Sequence, residues 1–63
     1  MYQVRADGGT KLENSSLAVI LEEATKGFQQ SPKSKPAELW QDGRYVASLV
    51  WNGTSLEVHW CGD

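Results

Sequence analysis

The sequence has little of what usually stabilises or activates a very small protein. Its 63 residues contain one cysteine, Cys61, and one histidine, His59. An internal disulfide is therefore excluded, and a tetrahedral metal site within one chain would need carboxylates to complete its four ligands. Because a chain this short buries only a small core, we expect well-formed local structure or self-association to stabilise it.

Strong charge and long apolar runs are also missing. The formal net charge is −2, and the six lysines and arginines are scattered along the chain, which disfavours binding to nucleic acid. No stretch approaches the roughly 20 apolar residues of a membrane span, and the first residues lack the pattern of a signal peptide. We therefore expect a cytoplasmic protein with no membrane contact. A hydrophobic content of 40% argues against disorder.

The motifs of catalysis and cofactor binding are absent. Two Asp-Gly segments lack the lysine and serine of a P-loop and the GxGxxG spacing, and turn formation explains both. Glu22 and Glu23 are adjacent, so they diverge on a helix. His59 and Cys61 share one face of a strand but lack further ligands, an orienting group or a cleft. We predict no enzyme activity, no cofactor, no metal and no small-molecule substrate.

The first half of the chain reads as a hairpin followed by a helix. Residues 1–6 alternate in the manner of a strand, and Asp7-Gly8-Gly9 can reverse the chain. A three-residue loop would place Leu12 opposite Val4 and Lys11 opposite Arg5. The alternative is an extended loop that leads directly to the helix, so whether residues 10–13 form a strand stays open, as does the position of the first strand in the sheet.

One apolar stripe predicts a helix over residues 16–26. Gly27 is a natural residue for ending this helix, with Phe28 folding back on its last turn. Residues 14–16 supply side chains that can cap its first amide groups. The stripe, at helical spacing, consists of Leu17, Ile20, Leu21, Ala24 and Phe28.

The second half reads as a three-stranded meander with turns at Asp42-Gly43 and Asn52-Gly53. A two-residue turn at Asn52-Gly53 would pair Leu49 with Leu56, Ala47 with Val58 and Tyr45 with Trp60. All six side chains would then face the helix.

The first of these turns leaves two alternatives. A two-residue Asp42-Gly43 turn puts Trp40 beside Tyr45 in the core and Leu39 outside. A three-residue loop from Gln41 to Gly43 puts Leu39 and Ala37 inside and Trp40 outside.

These elements predict a single α+β domain over residues 1–63. Its sheet, antiparallel or mixed, has four to five strands with one helix packed on one face, in the order ββαβββ or βαβββ.

The sheet face away from the helix has no cover, which is typical of an interaction surface. We predict a non-enzymatic protein-interaction module that binds a protein partner or forms a homodimer there. The alternative is a small nucleic-acid-associated regulator that uses exposed tryptophans, Trp40 and Trp51, together with Arg44. The predicted partner-binding residues are Trp40, Arg44, Val46, Ser48, Val50, Glu57 and His59.

Overall fold

Over residues 1–61, which the computed structural model describes, five antiparallel strands form one sheet and a single helix packs against one of its faces. This confirms an α+β domain in the order ββαβββ, including a strand over residues 10–13. The elements are β1 (Tyr2–Ala6), β2 (Gly9–Asn14), α1 (Leu17–Gln30), β3 (Ala37–Gln41), β4 (Arg44–Trp51) and β5 (Leu56–Trp60).

The strand order is β2-β1-β3-β4-β5, and every neighbouring pair is antiparallel. The first strand therefore lies next to the centre of the sheet, between β2 and β3. The helix carries the chain from the edge strand β2 back across the sheet to β3. Strands β2 and β5 form the two edges.

The core lies between α1 and the central strands. Ile20, Leu39 and Leu49 have no exposed surface, and burying each such side chain is worth about 1.5–3 kcal/mol. The buried residues are Val4, Ile20, Ala24, Phe28, Ala37, Leu39, Ala47 and Leu49.

The helix begins as predicted and ends four residues later than predicted. The Ser16 hydroxyl accepts a hydrogen bond from the Val19 amide, so Ser16 is the N-cap. Gly27 lies inside the helix and does not end it. The reason is Phe28, which is buried and stacks on Trp51 with ring centroids 6.2 Å apart. Its burial outweighs the roughly 1 kcal/mol cost of a helical glycine.

The β1–β2 hairpin has the predicted Val4–Leu12 pair but a shorter turn. Asp7 and Gly8 both have positive φ, 53° and 78°, which defines a two-residue type I′ turn. The predicted pairing of Lys11 with Arg5 is wrong, because Arg5 lies opposite Thr10 and Lys11 is the extra residue of a β-bulge.

The β3–β4 hairpin combines features of the two predicted alternatives. Its turn has two residues, with Asp42 and Gly43 at φ 50° and 81°, and Trp40 lies opposite Tyr45. Val46 is then skipped in a bulge, so Leu39 lies opposite Ala47 and both are buried. The bulge reverses the face on which Tyr45 lies. The prediction that Tyr45 is a core residue is therefore wrong, and its side chain is 41% exposed.

The β4–β5 register differs from the prediction by two residues. Trp51 lies opposite Leu56, Leu49 opposite Val58 and Ala47 opposite Trp60. A four-residue loop replaces the predicted two-residue turn because the Asn52 side-chain oxygen accepts hydrogen bonds from the amides of Thr54 and Ser55. A shift of two keeps the faces of β5 unchanged, since side chains alternate with period two.

Candidate interaction surface

We call the sheet surface opposite the helix the outer face. Its residues alternate along the strands with the buried ones, so the sheet pleat fixes which side chains it presents. Most are polar and none is fully buried. The outer face consists of Gln3, Arg5, Glu38, Trp40, Tyr45, Ser48, Val50, Glu57 and His59.

Three side chains form a compact group on this face, which we call the aromatic cluster: Arg5, Trp40 and Tyr45. The guanidinium carbon of Arg5 lies 4.2 Å from the Trp40 ring centroid. The Tyr45 ring meets Trp40 edge to face, with centroids 6.0 Å apart. Both are favourable geometries for an aromatic ring, whose face is electron-rich and whose edge is electron-poor.

Polar neighbours hold the aromatic cluster in place. The Arg5 Nε and Nη2 atoms donate to the Gln3 side-chain oxygen at 3.1 and 2.6 Å, and Gln3 donates to Glu13 at 2.7 Å. The indole nitrogen of Trp40 donates to Glu38 at 3.1 Å. The cluster therefore has its orientation set before any partner binds.

A second polar group lies on β5. Nε2 of His59 is 3.0 Å from one oxygen of Glu57, and the side-chain nitrogen of Asn52 donates to the other oxygen at 3.0 Å. These two contacts, that of Asn52 first, lower the pKa of the Glu57 carboxyl group below its usual value. The carboxylate is exposed, so it is available to a further donor.

The predicted partner-binding residues fall into three places. Trp40 belongs to the aromatic cluster, while Arg44 lies exposed beside the turn that precedes β4. Ser48 and Val50 are half-buried in the strip between the cluster and β5, where Glu57 and His59 lie. Val46, by contrast, is half-buried at the bulge and contacts the core.

Two residues of the aromatic cluster were missed by sequence reasoning. The bulge at Val46 turns Tyr45 outward, and no local pattern distinguishes a bulged strand from a regular one. Arg5 was placed correctly on the side of β1 opposite Val4. Its contact with Trp40, however, depends on β1 pairing with β3, which alternation alone does not reveal.

The other two tryptophans lie on the helix side of the sheet. Trp51 is half-buried against Phe28. The prediction that Trp60 packs in the core is wrong, since its side chain is 55% exposed. The helix backbone lies nearest to β1 and β2, and Trp60 lies at the far edge on β5.

An open groove of about 490 Å³ lies between the end of α1, the β1–β2 hairpin and the segment 33–37. Its lining is mainly apolar, with three lysines. Histidine and cysteine are absent from it. Within residues 1–61, no three metal-ligating side chains lie close enough together to hold an ion. Over the same residues, no helix has the length and apolarity needed to cross a membrane.

The described residues form a small α+β domain in which no other element of residues 1–61 covers the outer face. Comparison with models of known protein families, with curated proteins and with solved structures gave no match.

Proposed function

We propose that the chain is a non-enzymatic protein-interaction module that binds a protein partner through the outer face. The observation that carries this proposal is the aromatic cluster. Tryptophan, tyrosine and arginine are the residue types most enriched among those that dominate binding energy at protein interfaces. Here one of each is in contact on a face without a covering layer. The cytoplasmic location predicted from the sequence remains part of this proposal.

The preset geometry of the cluster also supports binding. An interface side chain that must be ordered on binding costs about 0.5–1.5 kcal/mol. The Arg5 and Trp40 side chains already donate hydrogen bonds to Gln3 and Glu38, so less of this cost remains. Ser48 and Val50 extend the surface beside them at half burial, which gives a partner a flat, partly apolar strip to cover.

A differential binding experiment tests the proposal. The wild-type chain, Tyr45→Ser and Trp40→Ser are immobilised, with Val19→Ser as the matched control on the helix side, where Val19 is 42% exposed. Proteins retained from a cell extract are quantified, and each candidate is purified and titrated. We expect one protein that binds wild type and Val19→Ser equally and binds both outer-face variants at least about tenfold more weakly.

Two results would contradict the proposal. If every purified binding protein loses no affinity to Tyr45→Ser and Trp40→Ser, the outer face is not the binding surface. If no protein distinguishes folded wild type from the folded variants, the chain is not an interaction module of this kind. Circular dichroism of each variant establishes that it is folded.

A second candidate function, binding of single-stranded nucleic acid, is favoured by one observation. Arg5 packs on Trp40, which is the kind of basic and aromatic combination on which bases stack. The carboxylates of Glu13, Glu38 and Glu57 on or beside the same face oppose a phosphate backbone. Titration with single-stranded oligonucleotides at low salt tests this second function. Salt-sensitive quenching of tryptophan fluorescence would support it, and no quenching would dismiss it.

A further inference from the structure

The two edge strands differ in how well they are protected against pairing with another chain. Exposed edges are commonly protected by bulges, prolines or lysines. Strand β2 has the bulge at Lys11, and Lys11 itself is exposed. Strand β5 pairs with β4 without a register shift, and Leu56–Trp60 includes no proline or lysine, its one formally charged residue being Glu57. Strand β5 is therefore the less protected edge of the described sheet.

The hydrogen bonds at the two ends of the β4–β5 ladder show which backbone groups of β5 point outward. The Asn52 amide donates to Ser55, and the Cys61 amide donates to Val46. In an antiparallel pair the bonded positions alternate, so the odd-numbered residues of β5 face β4. The backbone groups of Leu56, Val58 and Trp60 consequently face away from the sheet.

We propose that two copies of this chain form a dimer by antiparallel pairing of their β5 strands about a two-fold axis at Val58. Val58 then lies opposite Val58 of the second copy, and Leu56 opposite its Trp60. The Val58 pair on the axis and the two Leu56–Trp60 pairs beside it all consist of residues whose amide and carbonyl groups point outward. Each of these pairs therefore exchanges two hydrogen bonds. A one-residue shift would place outward-pointing backbone groups of one β5 strand opposite inward-pointing groups of the other, and the hydrogen bonds between the two strands would be lost.

The side chains favour the same register. Pairing centred on Val58 places the Glu57 carboxylate, an acceptor, opposite the His59 imidazole of the second copy, a donor. The two-fold axis forms this pair once on each side of Val58. A shift of two residues in either direction would oppose Glu57 to Glu57 or His59 to His59. It would also leave fewer bonded pairs within Leu56–Trp60.

The helix side of the new junction is apolar. Trp60 of one copy, 55% exposed in the monomer, lies beside Leu56 of the other, which is half-buried, on either side of the central Val58 pair. Covering this strip removes apolar surface from water and adds to the strand pairing. The dimer engages Glu57 and His59 at the β5 end of the outer face but leaves the aromatic cluster free, so this inference does not depend on partner binding by the aromatic cluster.

Sedimentation over a concentration series tests whether the dimer forms. We expect wild type and the control Val19→Lys to dimerise equally. His59→Glu, which opposes carboxylates at both pairs, should weaken the dimer about tenfold or more. The double variant Glu57→His with His59→Glu again places an acid opposite a base. It should therefore recover most of the dimer affinity that His59→Glu loses. Trp60→Lys should also weaken it.

Disulfide trapping tests the register. In a Cys61→Ser background, one chain carries Glu57→Cys and another carries His59→Cys. Directly opposed residues at such non-bonded positions lie about 4.5 Å apart between Cα atoms, within the range of a disulfide. Diagonal positions lie about 7–8 Å apart. Mild oxidation of the mixture should therefore yield mixed dimers and few dimers of either variant alone.

Three outcomes would overturn the proposal. A wild-type chain that stays monomeric at the highest concentration reached has no such dimer. A dimer that keeps its affinity in both His59→Glu and Trp60→Lys uses another surface. Trapping of the separate variants as readily as of the mixture would show that the strands do not pair about Val58.

Discussion

Val4 and Leu39 lie directly opposite each other where β1 pairs with β3. Each precedes an Asp-Gly type I′ turn by three residues, and in each hairpin the third residue after that glycine is the bulged one. The two hairpins are therefore built alike and extend in opposite directions from this pair. Val4 and Leu39 are both buried, which places the pair at the centre of the core.

Leu39→Ala should remove much of the stability of the domain. Leu39 has no exposed surface, and truncating a buried leucine costs about 2–5 kcal/mol. A domain of this size has only about 3–9 kcal/mol in total. Urea unfolding followed by circular dichroism measures the change, and Val19→Ala on the exposed side of the helix should change it by less than about 0.5 kcal/mol. Equal effects in the two variants would contradict the described core.

Gly43→Ala should destabilise the second hairpin. Gly43 has φ 81°, a conformation that costs a residue with a Cβ about 1–2 kcal/mol. Gly9→Ala is the matched control, because a Cβ at Gly9 meets nothing within 4 Å and no positive φ is required there. The denaturant midpoint of Gly43→Ala should therefore be lower than that of Gly9→Ala. A Gly43→Ala midpoint equal to that of wild type would contradict the type I′ turn.

Gly27→Ala should stabilise the protein by about 0.5–1 kcal/mol. Gly27 lies inside α1, and a Cβ there meets no atom within 4 Å. Alanine reduces the backbone freedom that the unfolded chain loses on folding. Thermal unfolding measures the gain. A lowered melting temperature would instead support a helix that ends at Lys26.

Asn52→Ala should raise the pKa of Glu57 towards its ordinary value, since Asn52 is the largest cause of the lowering. A carboxyl group with a lowered pKa in the folded state stabilises the fold above its unfolded pKa. That contribution disappears as the pH falls through the folded value. The stability difference between wild type and variant should accordingly shrink in acid.

Carbon NMR titration of the Glu57 carboxyl group measures the pKa directly. Ser55→Ala is the control, because it removes another contact of the Asn52 side chain and leaves the bond to Glu57 in place. A pKa that moves equally in the two variants would assign the effect to the loop as a whole.

Local patterns predicted the elements of this fold, and departures from regular pairing limited the rest. Alternation and helical spacing identified the helix stripe, the Val4–Leu12 pair and the side of β5 that faces the helix. At Val46 a bulged strand competes with a regular one, and at Asn52 a four-residue loop competes with a two-residue turn. The competing structures have similar local geometry. The outcome is decided by core packing, which a short window of sequence does not contain.

The candidate surface was predicted in part for the same reason. Glu57 and His59 lie on the outer face as expected, because alternation fixes which side of a strand they occupy. The two alternatives for the Asp42-Gly43 turn left the side of Trp40 open, and the bulge at Val46 places Leu39 inside and Trp40 outside. The contact between Arg5 and Trp40 joins residues that are far apart in the chain. Only the order of the strands brings them together, and several orders satisfy the same alternation.

The position of β1 beside β3 also determines how the chain can fold. Each hairpin closes a short loop and can form within microseconds, but an isolated hairpin is marginal in water. The pairing of β1 with β3 must instead bring together segments separated by β2, the helix and its following loop. We infer that this non-local step sets the folding rate, and that the hairpins on either side of it acquire stable structure together in one cooperative transition.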